Sequence, residues 1–250
     1  PVVIKRLLEK KVLHEKCMTV NGKTILENNI NAKCWNDDVI KKYENPLVEN
    51  GGIKVLRGNI APDGAIIKPS AASPELMKHK GKAVVFESVE ELHNKIDNPN
   101  LDVDENSILV LKNCGPKGYP GMAEVGNMRL PQKLLKKGIR DMIRISDARM
   151  SGTAYGTVIL HTSPEAAVNG PLAAVQNGDI IELDVENGIL NLLVDEKIIK
   201  KRVENYKPIL PEITGGYQKM YVEHVMQADK GADLDFLVGK RGDKVKRYSH

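Results

Sequence analysis

A mixed α/β domain of short strands and short crossing helices is the fold class this sequence predicts, and three observations carry it. From residue 51 onward, short apolar runs alternate with amphipathic segments and are punctuated by Gly and Pro. Hydrophobic residues make up 41% of the 250 positions but aromatics only 4%, so the core must rest on Ile, Val, Leu and Ala. The stretch "DIIELDVENGILNLLVD" alternates apolar residues with acids (Ile181, Leu183, Val185) up to Asn187-Gly188, the signature of a type I′ hairpin.

The elements follow in order. Residues 1–16 carry Val3, Leu7, Leu8 and Leu13 at helical spacing among lysines. "TVNGKTILENN" reads as a turn into a short helix, and residues 35–50 as polar loop with another short helix. "GGIKVLRGNIAPDGAIIKPSAAS" reads as strands and turns, "KAVVFES" as a strand, "VEELHNKID" as a helix and "SILVLKNC" as a buried strand. "LPQKLLKKG" is a short helix with Pro131 near its start and Gly138 as its stop. "DMIRIS" and "TVILHTS" are strands, "PEAAVNGPLAAVQNG" and "DEKIIKKRVENY" helices. The last forty residues, with Pro208, Pro211 and a Gly-Gly pair, read as an extension wrapping the domain.

Composition narrows the function. A net charge of +4 with Lys and Arg spread along the chain marks no nucleic-acid groove, and the basic stretch from Lys240 to Arg247 reads as a solvated tail. Cys17, Cys34 and Cys114 lie far apart without CxxC spacing, so neither a disulfide scaffold nor a zinc site is expected, and reduced thiols in a cytoplasmic setting are. No apolar run approaches the roughly 18 residues of a membrane span, and no signal-peptide pattern is visible. The chain opens on Pro1 inside a helical pattern and is expected to be a piece of something longer.

Two catalytic motifs fail on inspection. "NGKT" (Asn21 to Thr24) suggests a phosphate loop, but the Gly required five positions before Gly22 is Cys17. A nucleophile elbow at Ser151 needs Gly at the position held by Arg149. Two glycine-rich segments survive, "NCGPKGYPGMAEVGN" (Asn113 to Asn127) and "SDARMSGTAYG" (Ser146 to Gly156), each directly after an expected strand. Strand-end loops are where such domains gather binding groups. Glu124 is a hard oxygen donor suited to Mg²⁺, and Ser151 and Thr153 supply hydroxyls beside Gly152. The residues alone leave a second reading open: ordinary turns, with Asp147 and Arg149 as a local ion pair.

The chain resembles the IlvD/Edd dehydratases, the family of dihydroxy-acid dehydratase, 6-phosphogluconate dehydratase and the aldonate (sugar-acid) dehydratases. The likeness runs through "LHEKCMTVNGKTILEN", "GNIAPDGAIIKPSAASPELMKHKGKAVVFES", the two glycine-rich segments and the tail "MYVEHVMQADKGADLDFLVG". "KPSAASP" and the tail look most like the sugar-acid branch, acting on arabinonate-like or xylonate-like substrates. The resemblance implies a swivelling β/β/α barrel-like domain over residues 51–250. Residues 1–50 would be a helical lead-in from an absent N-terminal domain that carries an iron–sulfur cluster and most Mg²⁺ ligands.

Members of this family convert a 2,3-dihydroxy acid to a 2-keto-3-deoxy acid. A base takes the C2 proton, cluster iron takes the C3 hydroxyl, and Mg²⁺ holds the carboxylate and C2 oxygens. By motif, Glu124 would be the one Mg²⁺ ligand from this domain and Ser151, as an alkoxide, the base. A free serine is far too weak an acid for this, so nearby cations must stabilise the ionised form.

Thr153 would hydrogen-bond Ser151 or substrate, and Gly152 would let the chain approach without a side chain. Lys117 reads either as a contact to the substrate carboxylate or as a solvated loop lysine. His250 reads as a substrate contact or as part of a disordered tail. Asp147 and Arg149 are expected to brace the loop, Cys114 to be a buried thiol and His161 a satisfied core histidine.

The resemblance further implies a homo-oligomer, dimer or tetramer, and a fragment that is inactive without its cluster domain and leaves an apolar face uncovered. Three alternatives stand beside it: a dihydroxy-acid dehydratase of branched-chain amino-acid synthesis, a naturally separate swivelling subunit, and a non-catalytic ligand-binding or oligomerisation module.

Overall fold

The run "ILVL" has no polar face because both of its faces are covered. It forms β4 (Ile108–Leu111) and lies between β3 (Lys78–Phe86) and β5 (Arg144–Ser146), parallel to both. Parallel strands of this kind require cover on each side. Ile108 and Val110 enter one core with Leu56, Ile67, Ile159 and Leu183; Leu109 and Leu111 enter a second with Phe86, Leu92, Leu134 and Met142. A four-residue apolar sequence therefore separates two cores, and strand alternation sorts its side chains between them.

The computed structural model describes residues 1–48 and 51–239, which fall into two compact units, 1–51 and 52–250. In the first unit α1 (Val2–Glu9) and α2 (Ile25–Asn29) are joined by turns. A capping box between Thr24 and Glu27 starts α2. Arg6 donates to the carbonyl of Ile40 at 2.5 Å and pairs with Asp37 at 2.6 Å.

The second unit adds β1 (Lys54–Leu56), β2 (Gly64–Ile67), β6 (Val158–Ser163), β7 (Ile180–Asp184) and β8 (Ile189–Leu192). With β3–β5 they form one sheet in the order β1-β2-β6-β5-β4-β3-β7-β8. Its two outer strands meet: Arg57, just after β1, bridges Ile189 at the start of β8. The Arg57 N–H donates to Gly188 O and the Leu190 N–H to Arg57 O, both at 2.8 Å. The sheet is thereby a nearly closed barrel around the first core, with little open edge. Helices α3 (Val89–Lys95) and α4 (Gln132–Leu135) cover the outer face of the parallel strands and close the second core.

Beyond α5 (Glu196–Asn205) the chain returns over the barrel. Buried Lys112 donates to Glu87 at 2.8 Å and to Ala173 O at 3.0 Å, and Tyr206 donates to the other oxygen of Glu87 at 2.8 Å. After α6 (Gly216–His224), Gln227 and Asp229 bond Glu165 and Ser163 at the end of β6. Up to residue 239 the segment thus packs on the barrel; the rest of the expected extension lies outside the described residues.

Four expectations are corrected. The first helix ends at Glu9, because Lys11 adopts φ 58° and closes a Schellman turn, its N–H on Leu8 O and that of Val12 on Leu7 O. Residues 35–48 form turns without a helix. "PEAAVNGPLAAVQNG" is two single 3₁₀ turns, Ala166–Val168 and Pro171–Ala174; Asn169 turns left-handed at φ 59°, and Pro171 cannot donate to a continuing helix. The β7–β8 hairpin closes through four residues, 185–188, since Asp184 pairs with Ile189. Asp184 accepts from the Asn187 N–H and side-chain amide, both at 3.0 Å, so Asn187 keeps negative φ and only Gly188 is left-handed.

The barrel closure depends on Gly58, whose φ is 159° and whose missing Cβ would stand 2.0 Å from Leu190 O. Gly58→Ala is expected to cost about 1–3 kcal/mol. Thermal unfolding would read this as a Tm fall of roughly 2–4 °C per kcal/mol.

Candidate functional site

Parallel strands deliver their ends to one side, so β4 and β5 bring the two glycine-rich segments together at one mouth of the barrel. Beneath that mouth lie two buried carboxylates. Asp147, fully buried after β5, accepts the Cys114 N–H at 2.8 Å on one oxygen and the Ala166 N–H at 2.9 Å on the other. Glu165, equally buried, accepts the N–H groups of Lys117 and Gly118 at 3.0 and 2.9 Å and the Gln227 amide at 2.7 Å. The first glycine-rich loop is thus pinned by its backbone. Gly115 is demanded by the same approach, since a Cβ there would lie 2.6 Å from Glu165 Oε2.

Arg144 holds both loops from below and is 5% exposed. It donates to Asn127 Oδ1 and Met128 O at 3.0 Å in one loop, and to Tyr155 O at 2.9 Å in the other. Its charge is met at 3.0 Å by half-buried Asp141, whose largely covered carboxylate also accepts from the N–H and hydroxyl of Thr157. Losing either partner would strand the other charge in the interior.

The second loop carries the hydroxyl pair. Ser151 Oγ and Thr153 Oγ1 are 3.0 Å apart, and the Thr153 N–H donates to Ser151 Oγ at 3.2 Å. Ser151 is half-buried, while Gly152 and Thr153 are exposed. Two residues fix the loop. His161 Nε2 accepts the Met150 N–H at 2.8 Å. Because Nε2 accepts, the ring proton sits on Nδ1 and the imidazole is neutral; burial, with Arg149 nearby, lowers its pKa in the same direction. Lys68, at the end of β2, donates to Ser151 O at 3.2 Å and to Gly152 O at 3.0 Å.

Glu124, in the first loop, forms an ion pair with Arg149 across the mouth. The expected Asp147–Arg149 pair is therefore corrected: Asp147 faces the interior and takes backbone donors, and Arg149 faces out to Glu124. Lys117 is half-buried and anchored through its backbone; among the described residues its ammonium makes no ion pair. Cys114 is buried, and burial pushes its thiol up, so it is inert. His161 is satisfied as expected, but it serves the Ser151 loop. His250 and the basic tail lie outside the described residues.

Glu165, Arg144, Asp141 and Lys68 were not singled out by sequence reasoning. Lys68 carried the one visible signal, a lysine closing an apolar strand ahead of Pro69.

As a cofactor site the donor set is partial. Among the described residues no three His, Cys, Asp or Glu side chains cluster as a metal site. The three cysteines do not fit an iron–sulfur cluster, being exposed, half-buried and buried in turn. Glu124 is a half-exposed carboxylate whose charged partner among the described residues is Arg149, and its oxygens are donors of the kind a hard cation such as Mg²⁺ takes. No helix among the described residues is long and apolar enough to cross a membrane.

The family described as "Dihydroxy-acid/6-phosphogluconate dehydratase C-terminal" matches residues 38–232. An L-arabinonate dehydratase of Rhizobium leguminosarum bv. trifolii (strain WSM2304) is 59% identical over all of this chain and 43% of its own length. An L-arabonate dehydratase of Azospirillum brasilense is 54% identical over all of this chain and 44% of its own. A dihydroxy-acid dehydratase of Acetivibrio thermocellus is 42% identical over 94% of this chain and 42% of its own. The chain thus spans less than half the length of these relatives.

Two predictions follow from the geometry. Burial, reinforced by the Glu165 charge, pushes Asp147 from 3.8 up to about 7. Folded protein then keeps a proton that unfolded chain releases, so this stabilisation is complete below about pH 4 and lost as pH rises through about 7. Asp147→Asn should flatten that slope in denaturant titrations at pH 5 to 8. It should also cost about 1–3 kcal/mol, because its amide leaves one backbone N–H unpaired.

Gly152 behaves oppositely to Gly115: a Cβ at 152 would meet nothing within 4 Å. Gly152→Ala should leave stability within about 0.5 kcal/mol. If the open space receives a ligand, the same substitution weakens catalysis or binding in the whole protein.

Proposed function

The chain belongs to the dihydroxy-acid/6-phosphogluconate dehydratase family, as its C-terminal domain, and from that premise we propose that it is the base-supplying half of a sugar-acid dehydratase. The reaction is loss of water from an aldonate to give a 2-keto-3-deoxy acid. The observation that carries this reading is the Ser151–Thr153 hydroxyl pair, set on an open loop beside the Glu124 carboxylate. The sugar-acid branch is supported by 59% and 54% identity to relatives named for arabinonate, against 42% to one named dihydroxy-acid dehydratase.

The proposed roles follow from the contacts. Ser151 Oγ takes the proton from C2 of the substrate. The Thr153 N–H donates to that oxygen and the Thr153 hydroxyl lies 3.0 Å from it, so the ionised form would be met by both groups as donors before the proton arrives. The electron pair released at C2 forms the C2–C3 double bond as the C3–O bond breaks; the departing hydroxide takes a proton from solvent to leave as water, Ser151 returns the C2 proton to solvent, and the enol tautomerises to the 2-keto acid. Glu124 would hold a Mg²⁺ ion in place of its Arg149 partner, and Arg149 would then be free to meet an anionic substrate. Mg²⁺ and an iron–sulfur cluster, held mainly by the N-terminal half, would supply Lewis-acid stabilisation of the substrate oxygens. Lys117 and His250 are proposed substrate contacts. The whole protein is proposed to be a cytoplasmic homo-oligomer.

The test joins this chain to the N-terminal half its relatives carry, loads cluster and Mg²⁺ without oxygen, and measures 2-keto acid formation from five-carbon aldonates and from 2,3-dihydroxyisovalerate. Turnover of aldonates is expected, with Ser151→Ala lowering kcat by roughly 10²–10⁴. Turnover of dihydroxyisovalerate alone would replace the substrate class. A Ser151→Ala protein as active as the parent would remove the base.

A further inference from the structure

A serine alkoxide needs positive charge, and the structure shows how little is available to Ser151. In the free domain Arg149 is engaged by Glu124, Arg144 is buried with Asp141 and four further acceptors, and His161, whose Nε2 accepts the Met150 N–H, is neutral. The remaining cation bonded to this loop among the described residues is Lys68, which reaches it from 83 positions away in sequence.

The way Lys68 is attached matters more than its proximity. Its ammonium donates to Gly152 O at 3.0 Å, and the N–H of that same Gly152–Thr153 peptide donates to Ser151 Oγ at 3.2 Å. In a trans peptide the C=O and N–H point in opposite directions and share one conjugated system. A cation on the oxygen end polarises the unit and strengthens the N–H as a donor, the cooperative effect of chained hydrogen bonds. The second bond, to Ser151 O at 3.2 Å, turns both successive carbonyls toward Lys68 and so both following N–H groups away from it.

We propose that Lys68 is a positioning residue for the Ser151 base, acting through the Gly152–Thr153 peptide to orient its N–H and to transmit positive charge to Ser151 Oγ. The inference rests on the assignment of Ser151 as base in the proposed dehydration. Lys68 need not touch substrate. Its ammonium carries three N–H groups, two of which the loop carbonyls occupy.

The experiment uses the full-length, cluster- and Mg²⁺-loaded protein with L-arabinonate as substrate, comparing parent, Lys68→Met, Lys68→Arg, Ser151→Ala and the Lys68→Met/Ser151→Ala double variant. Lys68→Met should lower kcat by roughly 10- to 100-fold, less than loss of a direct oxyanion donor, with KM nearly unchanged. The rising limb of its pH–rate profile should move about one unit to higher pH, because the base has lost its cation. Lys68→Arg should recover much of the rate. In the Ser151→Ala background, Lys68→Met should have no further effect.

Amide hydrogen exchange provides a readout independent of turnover. The Thr153 N–H should exchange faster in Lys68→Met, with the rest of the barrel unchanged. Equal kcat and an unmoved pH limb in Lys68→Met, while Ser151→Ala is inactive, would overturn the role of Lys68 alone. Full activity in Ser151→Ala would overturn the base and Lys68 with it. Should Lys68→Met fold poorly, Lys68→Gln carries the same comparison; a rate loss that tracks lowered Tm, with no shift of the pH limb, also overturns the proposal.

Discussion

The open end of this barrel rests on two buried carboxylates that form no ion pair among the described residues. Asp147 and Glu165 together accept the N–H groups of Cys114, Ala166, Lys117 and Gly118 and the amide of Gln227. Loop backbone buried at this depth loses its water, and each donor left unpaired would be costly. The carboxylates supply acceptors that no strand or helix offers at this point. Their own burial is unfavourable, and repulsion between them adds to it, which is why Asp147 holds its proton toward neutral pH. The arrangement trades some stability for a fixed loop. Gly115 belongs to the same bargain, since any side chain there would displace Glu165.

Above this layer the restraints thin out. Arg144 and Asp141 tie both loops to the end of β5 from beneath, deep in the interior. Ser151 itself is held from its flanks, through the Met150 N–H on His161 and through Lys68 on the carbonyls of residues 151 and 152. The hydroxyl proposed to meet substrate is thus mounted on a fixed base, half-buried between exposed neighbours. That division is what preorganised sites require, with the reacting atom placed by neighbours whose own positions are over-determined.

Much of this could be read from sequence because periodicity and punctuation are local. Apolar runs marked the strands, and the two glycine-rich segments stood at the ends of β4 and β5 as expected. What escaped reading was every relation that depends on which way a side chain leaves its strand. Asp147 and Arg149 are two apart and opposite in charge, so a local ion pair was the natural expectation. Yet backbone donors inside claim the first, and Glu124 outside claims the second. Lys68 and Ser151 meet only because β2 runs beside β6 in the sheet, with β5 on the other side of β6. The hairpin turn failed for a related reason: Asp184 captured Asn187 with its side chain, and a four-residue loop outcompeted the two-residue one.

The chemistry proposed for this mouth also explains its incompleteness. A hard dication takes about six oxygens, and the domain offers one suitable carboxylate, held meanwhile by Arg149. An alkoxide base cannot persist beside solvent with a single lysine acting through a peptide. Both requirements are met only when a second surface, rich in oxygen ligands and cations, closes over Ser151 and excludes water, because electrostatic stabilisation grows as the local dielectric falls. On this reading Ser151 stays an ordinary serine until the site is assembled. Reactivity is then conferred by closure, and the free domain is protected from its own base.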